Sequence, residues 1–175
     1  MIKFITTILF VFILMQTFGQ SPKKLSVYLQ TQFNLTIYDR TAGNNPWGIG
    51  MGTQVFLNNK TKFKPVIEFT ADTYISDDKV ARLNPDGKIA EDLGNMFNLF
   101  GGASFHASQK LYLSIIAGPS FINGQTLFGV KPSFGLYSSH QKWTGRVSFI
   151  NVFNRDKTTK EDFGTLSFTI GRKIF

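Results

Sequence analysis

The chain has 175 residues and a formal net charge of +8, from 19 Lys and Arg against 11 Asp and Glu. It is 42% hydrophobic and 15% aromatic but only 17% charged, whereas soluble domains are about 25% charged. This composition excludes a disordered chain and, with 16 Gly, argues against a helical bundle. The chain has no cysteine, which excludes disulfides, thiolate metal sites and a cysteine nucleophile.

The N-terminal segment has the pattern of a secretory signal peptide. A short positive start ending at Lys3 is followed by an apolar run and then by small residues around Gly19. We expect a cleaved signal peptide over residues 1–19, with a cut after Gly19 or Gln20, and a single domain over residues 20–175. An uncleaved anchor helix is the alternative, but the apolar run is shorter than the roughly 20 residues that a membrane-spanning helix needs.

From the first residues of this domain, hydrophobic side chains recur at every second position. Leu25, Val27 and Leu29 share one face of the first segment, while Tyr28 and Gln30 lie on the other. Such alternation is typical of a strand that separates two environments. Eight segments of this kind follow in chain order, beginning near Leu25, Trp47, Phe63, Met96, Leu111, Phe128, Trp143 and Leu166. They are longer than the roughly 5 or 6 residues usual in soluble sheets.

The links between these segments alternate in length. Residues 58–62, 108–110 and 138–142 are short, residues 39–46, 76–95 and 154–162 are longer, and residues 123–125 are a short exception. Transmembrane barrels show the same alternation, because their periplasmic turns are short and their external loops are longer. A sheet in lipid must also close, and an even number of antiparallel strands allows closure. The predicted fold is therefore all-β, an eight-stranded antiparallel up-and-down transmembrane β-barrel.

The direction of the apolar face does not follow from alternation alone. The polar face is rich in Gly, Ser, Thr, Asn and Gln but poor in charge, as expected for a narrow barrel interior. Trp47, Phe63, Trp143 and Phe153 lie near the ends of the apolar face, where interfacial aromatic residues are expected. We predict that the apolar face points outward to lipid. The alternative is an exported lipocalin-like carrier of apolar ligands, with that face inward.

Together these features resemble the small Gram-negative outer-membrane barrels of the OmpA-like and OmpX-like kind. The resemblance covers the mature region and includes the stretch 117–121 and the C-terminal Phe175, although Arg172 interrupts the apolar side of the last segment. It implies a monomer in outer-membrane lipid, inserted by the barrel insertion machinery. Pro119 and Pro132 fit poorly in fully paired strands, so we expect a bulge or a strand end at each.

Four charged residues fall on the face assigned to the lumen: Glu68, Asp72, Lys131 and Arg146. Buried charges are tolerated only when they are paired, so we expect lumen ion pairs with a structural role, for instance between Glu68 and Arg146 or Lys131. A proton or ion path is the alternative. A closed plug is favoured because eight strands leave no open channel.

His106 and Ser108 are weak catalytic candidates. A His-x-Ser pair on a barrel strand resembles the outer-membrane lipid A deacylases, which implies a lipid A-modifying hydrolase as the alternative function. Gln109 stands where those enzymes carry asparagine, and the pair falls at a short turn on the predicted periplasmic side. The sequence therefore predicts no catalytic set.

No cofactor, metal or nucleic-acid partner is expected. The acids of residues 76–95 lack the Asp-x-Asp-x-Asp-Gly order of a calcium loop, and export makes the basic pI irrelevant to nucleic acid. Lysines such as Lys60, Lys110 and Lys142 gather at the predicted periplasmic end, where they can meet lipid phosphates. The leading functional hypothesis is a non-enzymatic barrel with a plugged polar lumen. It would act in envelope integrity or bind an unknown partner through its external loops.

Overall fold

The computed structural model describes residues 25–39, 45–75, 87, 93–155 and 161–175. Its strands are β1 (Leu25–Asp39), β2 (Trp47–Leu57), β3 (Phe63–Ile75), β4 (Asn95–His106), β5 (Leu111–Ile122), β6 (Gln125–Tyr137), β7 (Trp143–Val152) and β8 (Phe163–Lys173). The described part of the chain holds no helix that is long and apolar enough to cross a membrane. The predicted signal peptide lies outside the described residues.

The eight strands form one closed barrel in which each strand pairs antiparallel with its neighbours in sequence. The ring closes where β1 meets β8, in a register that pairs Phe33 with Phe168 and Leu29 with Arg172. A register shift in that ladder falls between Thr36 and Tyr38. The predicted eight-stranded antiparallel up-and-down barrel is confirmed.

The two ends of the barrel differ in their connections. The turn end carries the links 58–62, 107–110 and 138–142 together with the start of β1 and the end of β8, and the loop end carries the other four links. At the loop end, Asn123 and Gly124 form a two-residue hairpin turn in which both have positive φ (47° and 72°). Asn-Gly is the sequence that a type I′ turn favours, which explains why this one loop-end link is short.

Both strand faces follow the sequence alternation, with the apolar face outward. Every strand contributes a large hydrophobic side chain that is between 47% and 63% exposed: Leu29, Ile49, Ile67, Leu99, Ile115, Phe128, Trp143 and Ile170. The inward positions are buried and are polar at the middle of the barrel: Gln30, Gln54, Glu68, Asn98, Ser114, Lys131, Arg146 and Thr169. A lipocalin-like carrier would need the reverse arrangement.

The expected bulges or strand ends at Pro119 and Pro132 are absent, so that prediction was wrong. Both β5 and β6 run through their proline. Pro119 keeps its ladder position opposite Phe128, and Pro132 keeps its position opposite Ile115. Only the ladder on the other side of each strand is interrupted, and its register is the same before and after the gap. A missing N–H removes a bond toward one neighbour only, so a central strand accommodates it by losing pairing on that side.

Close packing inside the barrel depends on inward glycines. A Cβ at Gly135 would lie 2.2 Å from Cζ of the Tyr112 ring, so the ring occupies the space above this glycine. Gly145, in contrast, has nothing within 4 Å of its Cβ position. A side chain at position 135 would require the Tyr112 ring to move, whereas a Cβ at position 145 would meet no neighbouring atom.

We therefore expect Gly135→Ala to lower the free energy of unfolding by about 1–3 kcal/mol through overpacking. Gly145→Ala is the matched control and should change it by less than about 0.5 kcal/mol. Urea unfolding of the refolded barrel, followed by tryptophan fluorescence, measures both. Equal effects of the two substitutions would contradict the packing described for Tyr112.

Candidate functional site

A cluster of charged side chains crosses the middle of the lumen. The four predicted residues come from three strands, with Glu68 and Asp72 on β3, Lys131 on β6 and Arg146 on β7, and none is more than 3% exposed. Lys131 Nζ lies 2.6 Å from Glu68 Oε1, and the Arg146 guanidinium pairs with Glu68 Oε2. One carboxylate thus joins two cations that are anchored on other walls of the barrel.

Amide side chains complete the coordination of this cluster. Gln54 Nε2 donates to Glu68 Oε2 at 3.1 Å. Lys131 Nζ also donates to Gln32 Oε1 at 3.3 Å, and Arg146 Nη2 donates to Gln30 Oε1 at 3.2 Å. Burying an ion is costly unless its remaining donors and acceptors are satisfied, and these glutamines supply the required groups.

Asp72 is held differently, by neutral donors. Its Oδ1 accepts hydrogen bonds from Gln32 Nε2 at 2.5 Å and from Asn34 Nδ2 at 2.8 Å. Its Oδ2 accepts from Thr70 Oγ1 and Asn98 Nδ2, both at 3.2 Å. Within the described residues no cation forms a salt bridge with this carboxylate, so four hydrogen bonds replace the ion pair that the sequence suggested.

Space for the Asp72 carboxylate is provided by the neighbouring strand. A Cβ at Gly50 would lie 1.9 Å from Asp72 Oδ1, so only glycine leaves room for it there. Further along the same network, Ser120 Oγ donates to Asn98 Oδ1 at 2.6 Å and Ser167 Oγ donates to Asn34 Oδ1 at 2.5 Å. The polar centre therefore extends through hydrogen bonds to most walls of the barrel.

Aromatic rings close the lumen on the turn side of the charges. The rings of His106, Tyr112 and Tyr137 are nearly parallel, with centroids 4.7 to 5.8 Å apart, and Phe56 packs its edge against them. The Tyr28 hydroxyl donates to the backbone oxygen of Gln141 at 3.0 Å. This layer separates the ionic centre from the turn end.

An apolar layer lies on the loop side. Its buried members are Tyr74, Leu93, Met96, Ile122, Ile150, Val152 and Phe163. Tyr74 and Phe163 meet edge to face with centroids 5.4 Å apart, and the Arg155 guanidinium lies 5.7 Å above the Phe163 ring. Among the described residues, packed side chains thus cover the polar centre of the lumen on both its turn side and its loop side.

The structure does not assemble a catalytic pair from His106 and Ser108. His106 ends β4 with its ring in the aromatic layer, and its Nε2 is buried without a hydrogen-bond partner among the described residues. Ser108 lies in the following turn, where its Oγ accepts from the backbone N–H groups of Lys110 and Leu111, both at 3.1 Å. A serine held in this way has no general base beside it.

No group of three or more metal-binding side chains occurs within the described ranges. The acids that the sequence places in residues 76–92 lie outside those ranges. His140 is exposed in the link between β6 and β7, and its Nδ1 lies 3.2 Å from Ser139 Oγ.

The described geometry defines a class of fold, the closed eight-stranded antiparallel β-barrel with an apolar outer face. No protein-family model matches the chain, and no curated protein sequence matches it. Among solved structures, the crystal structure of Ail, the attachment invasion locus protein of Yersinia pestis, superposes with a TM-score of 0.53 at 11% sequence identity, covering 86% of this chain and 97% of Ail.

A second structure of the Yersinia pestis outer membrane protein Ail, its backbone structure in a phospholipid bilayer nanodisc, gives a TM-score of 0.53 at 10% identity. It covers 85% of this chain and 99% of that one. At these identities the likeness establishes the fold, in agreement with the resemblance drawn from the sequence.

Removing the shared carboxylate should be the most damaging change in the lumen. Glu68→Gln leaves Lys131 and Arg146 buried without a carboxylate partner, and we expect a loss of about 3–5 kcal/mol in the free energy of unfolding. Adding Lys131→Met should recover part of that loss, since only one cation then lacks its counterion. Ser148→Ala is the control, because its buried hydroxyl has no partner among the described residues.

Urea titrations of five refolded proteins measure these differences: the wild type, Glu68→Gln, Lys131→Met, the double variant and Ser148→Ala. A Glu68→Gln variant as stable as the wild-type protein would show that the ion pairs contribute nothing. Strict additivity of Glu68→Gln and Lys131→Met would show that the two side chains are not coupled.

Proposed function

We propose that this chain is an outer-membrane barrel whose outer wall contacts lipid. The observation that carries the proposal is the apolar belt: each of the eight strands exposes large hydrophobic side chains on the outside. Soluble monomers rarely expose contiguous apolar patches larger than a few hundred Å². In a bilayer the same belt is favourable, and the closed ring of strands leaves no unpaired edge in the hydrocarbon region.

The proposal includes the route to the membrane. The signal-peptide pattern of residues 1–19 supports export, and the C-terminal Phe175 supports insertion by the barrel machinery. Backbone pairing continues beyond β8, since Val27 N–H donates to the Phe175 carbonyl at 2.9 Å. The last residue of the chain therefore takes part in closing the barrel. We further propose that the barrel acts as a monomer, since one chain closes the ring.

The role of the barrel is proposed to be non-enzymatic. Its lumen is filled by the charged centre and two packed layers, which favours a structural plug over a transport path. A partner would then be bound by the longer links at the loop end, which follow β1, β3 and β7. Ail is named the attachment invasion locus protein, and its shared fold supports a role in surface binding or envelope integrity here.

Two arginine substitutions on one strand test the membrane location. Met51, in the middle of β2, is 65% exposed, whereas Leu57 ends the same strand at the turn end and is 39% exposed. Arginine on the lipid face costs about 2–4 kcal/mol at the bilayer midplane and about 0–1 kcal/mol near the interfaces. Met51→Arg should therefore destabilise the refolded barrel in vesicles far more than Leu57→Arg.

The measurement combines fractionation with gel mobility. We expect the wild-type chain in the outer-membrane fraction, as a compact band that shifts on boiling. Met51→Arg should lose that band at lower urea than Leu57→Arg. A chain that is soluble without detergent, or that tolerates both arginines equally, would contradict the proposal.

A further inference from the structure

The charged residues of the barrel are distributed unevenly between its ends. At the turn end the cations are Lys60, Lys62, Lys64, Lys110, Lys142, Arg172 and Lys173. The acidic side chains that the structure describes lie elsewhere, in the lumen (Glu68 and Asp72) or at the loop end (Glu161 and Asp162). The cations of the turn end thus have no acidic side chain beside them within the described ranges.

One pair of residues turns this charge toward the side wall. Arg172 is exposed on the outer face of β8, directly opposite Trp143 of β7, and its guanidinium lies 5.6 Å from the centroid of the Trp143 ring. The tryptophan is 49% exposed. An arginine stacked on an outward tryptophan keeps its charge beside the wall instead of extending along the barrel axis.

Apolar side chains of the belt begin immediately next to this pair. Leu29, the partner of Arg172 on β1, is 54% exposed, and Ile170, two residues earlier on the same face, is 63% exposed. Lys173 N–H donates to the Lys142 carbonyl at 2.8 Å, which ties the backbone of the exposed Lys142, the residue before Trp143, to the end of β8. Cation, aromatic ring and apolar belt therefore follow one another along the wall.

We propose that Lys142, Trp143 and Arg172, which we name the turn-end rim, bind the phosphate of an anionic lipid. This inference rests on the proposed membrane location. Tryptophan marks the level of the lipid headgroups, and a guanidinium can donate two parallel hydrogen bonds to phosphate oxygens. Lys142, the residue before Trp143 in the chain, adds a second cation next to this pair, so the rim distinguishes an anionic from a zwitterionic headgroup by charge.

The outward direction of the rim favours lipid over an acidic soluble macromolecule. A partner that docks along the barrel axis would meet the link lysines Lys60 and Lys110 first. Arg172 instead adjoins Leu29 and Ile170, whose exposed side chains would face the acyl chains of the lipid that it binds. The phosphate of a phospholipid thus matches the cations of the rim, and its acyl chains match the apolar side chains next to them.

Tryptophan quenching tests the rim directly, because the chain has only two tryptophans. In a Trp47→Phe barrel refolded into vesicles, Trp143 is the single fluorophore. Brominated phosphatidylglycerol should quench it more strongly than brominated phosphatidylcholine at the same bulk fraction. The matched control is Trp143→Phe, in which Trp47 at the loop end of β2 reports and should show little preference.

Substitutions then locate the preference. Arg172→Gln and Lys142→Gln, in the Trp47→Phe barrel, should each lower the relative affinity for the anionic lipid roughly fivefold, since one cation near an anionic surface contributes about 1 kcal/mol. Arg172→Lys should retain much of the preference, because the charge remains. High salt should weaken it in the unsubstituted rim.

The outcomes separate the two proposals. Equal quenching by the two brominated lipids, or a preference unchanged in both glutamine variants, overturns the rim while the membrane location stands. Trp143 fluorescence that neither brominated lipid quenches overturns the rim and the membrane location together. Preferential quenching that is lost with the two cations supports the rim.

Discussion

The structure depends on one constraint: every strand must have a hydrogen-bonded neighbour on both sides. Closure of β1 on β8 satisfies it, and the terminal residue Phe175 still pairs with Val27 beyond the last strand. A wall covered with apolar side chains can then face hydrocarbon, because closure leaves no edge strand with a row of unpaired donors and acceptors. An open sheet of the same sequence would leave two such edges.

Closure also dictates what the inside must contain. Eight strands enclose a space that side chains can fill, and here the filling is layered. Glu68 lies at the centre because it alone contacts two buried cations, Lys131 and Arg146, among the described side chains. The aromatic layer around Tyr112 and the apolar layer around Phe163 keep water from that centre, which strengthens the ion pairs and raises the cost of breaking them.

Alternation along the chain predicted the strands and the two faces of each. The link lengths and the even number of strands predicted the barrel, and the composition of the polar face predicted which face points inward. Alternation also placed Glu68, Asp72, Lys131 and Arg146 on one face, because a strand presents every second side chain to the same side. The two-residue period does not predict where a side chain lies along the barrel axis, because that position depends on how far neighbouring strands are staggered. The sequence named Arg146 and Lys131 as alternative partners of Glu68, but the simultaneous contact with both, and the capture of Asp72 by Asn34 and Asn98, could not be predicted for that reason.

The prolines and the aromatic layer escaped prediction for other reasons. We expected a bulge or a strand end at Pro119 and Pro132 because proline lacks an N–H, without considering which of the two neighbouring strands loses the hydrogen bond. Tyr28, Phe56 and Tyr137 come from three different strands, and only the closed ring brings them together with His106. The regular occurrence of Gln and Asn on the polar face of β1 was the signal that could have revealed the amide network.

The orientation of the wall is tested most directly by two adjacent cysteine substitutions on β5. Ser114 faces inward and is 6% exposed, whereas the side chain of Ile115 is 61% exposed on the outside. Since the chain has no cysteine of its own, each variant carries a single thiol. A thiol reagent confined to the bilayer should label Ile115→Cys and spare Ser114→Cys in vesicles, whereas the opposite pattern, or labelling of neither, would contradict the account.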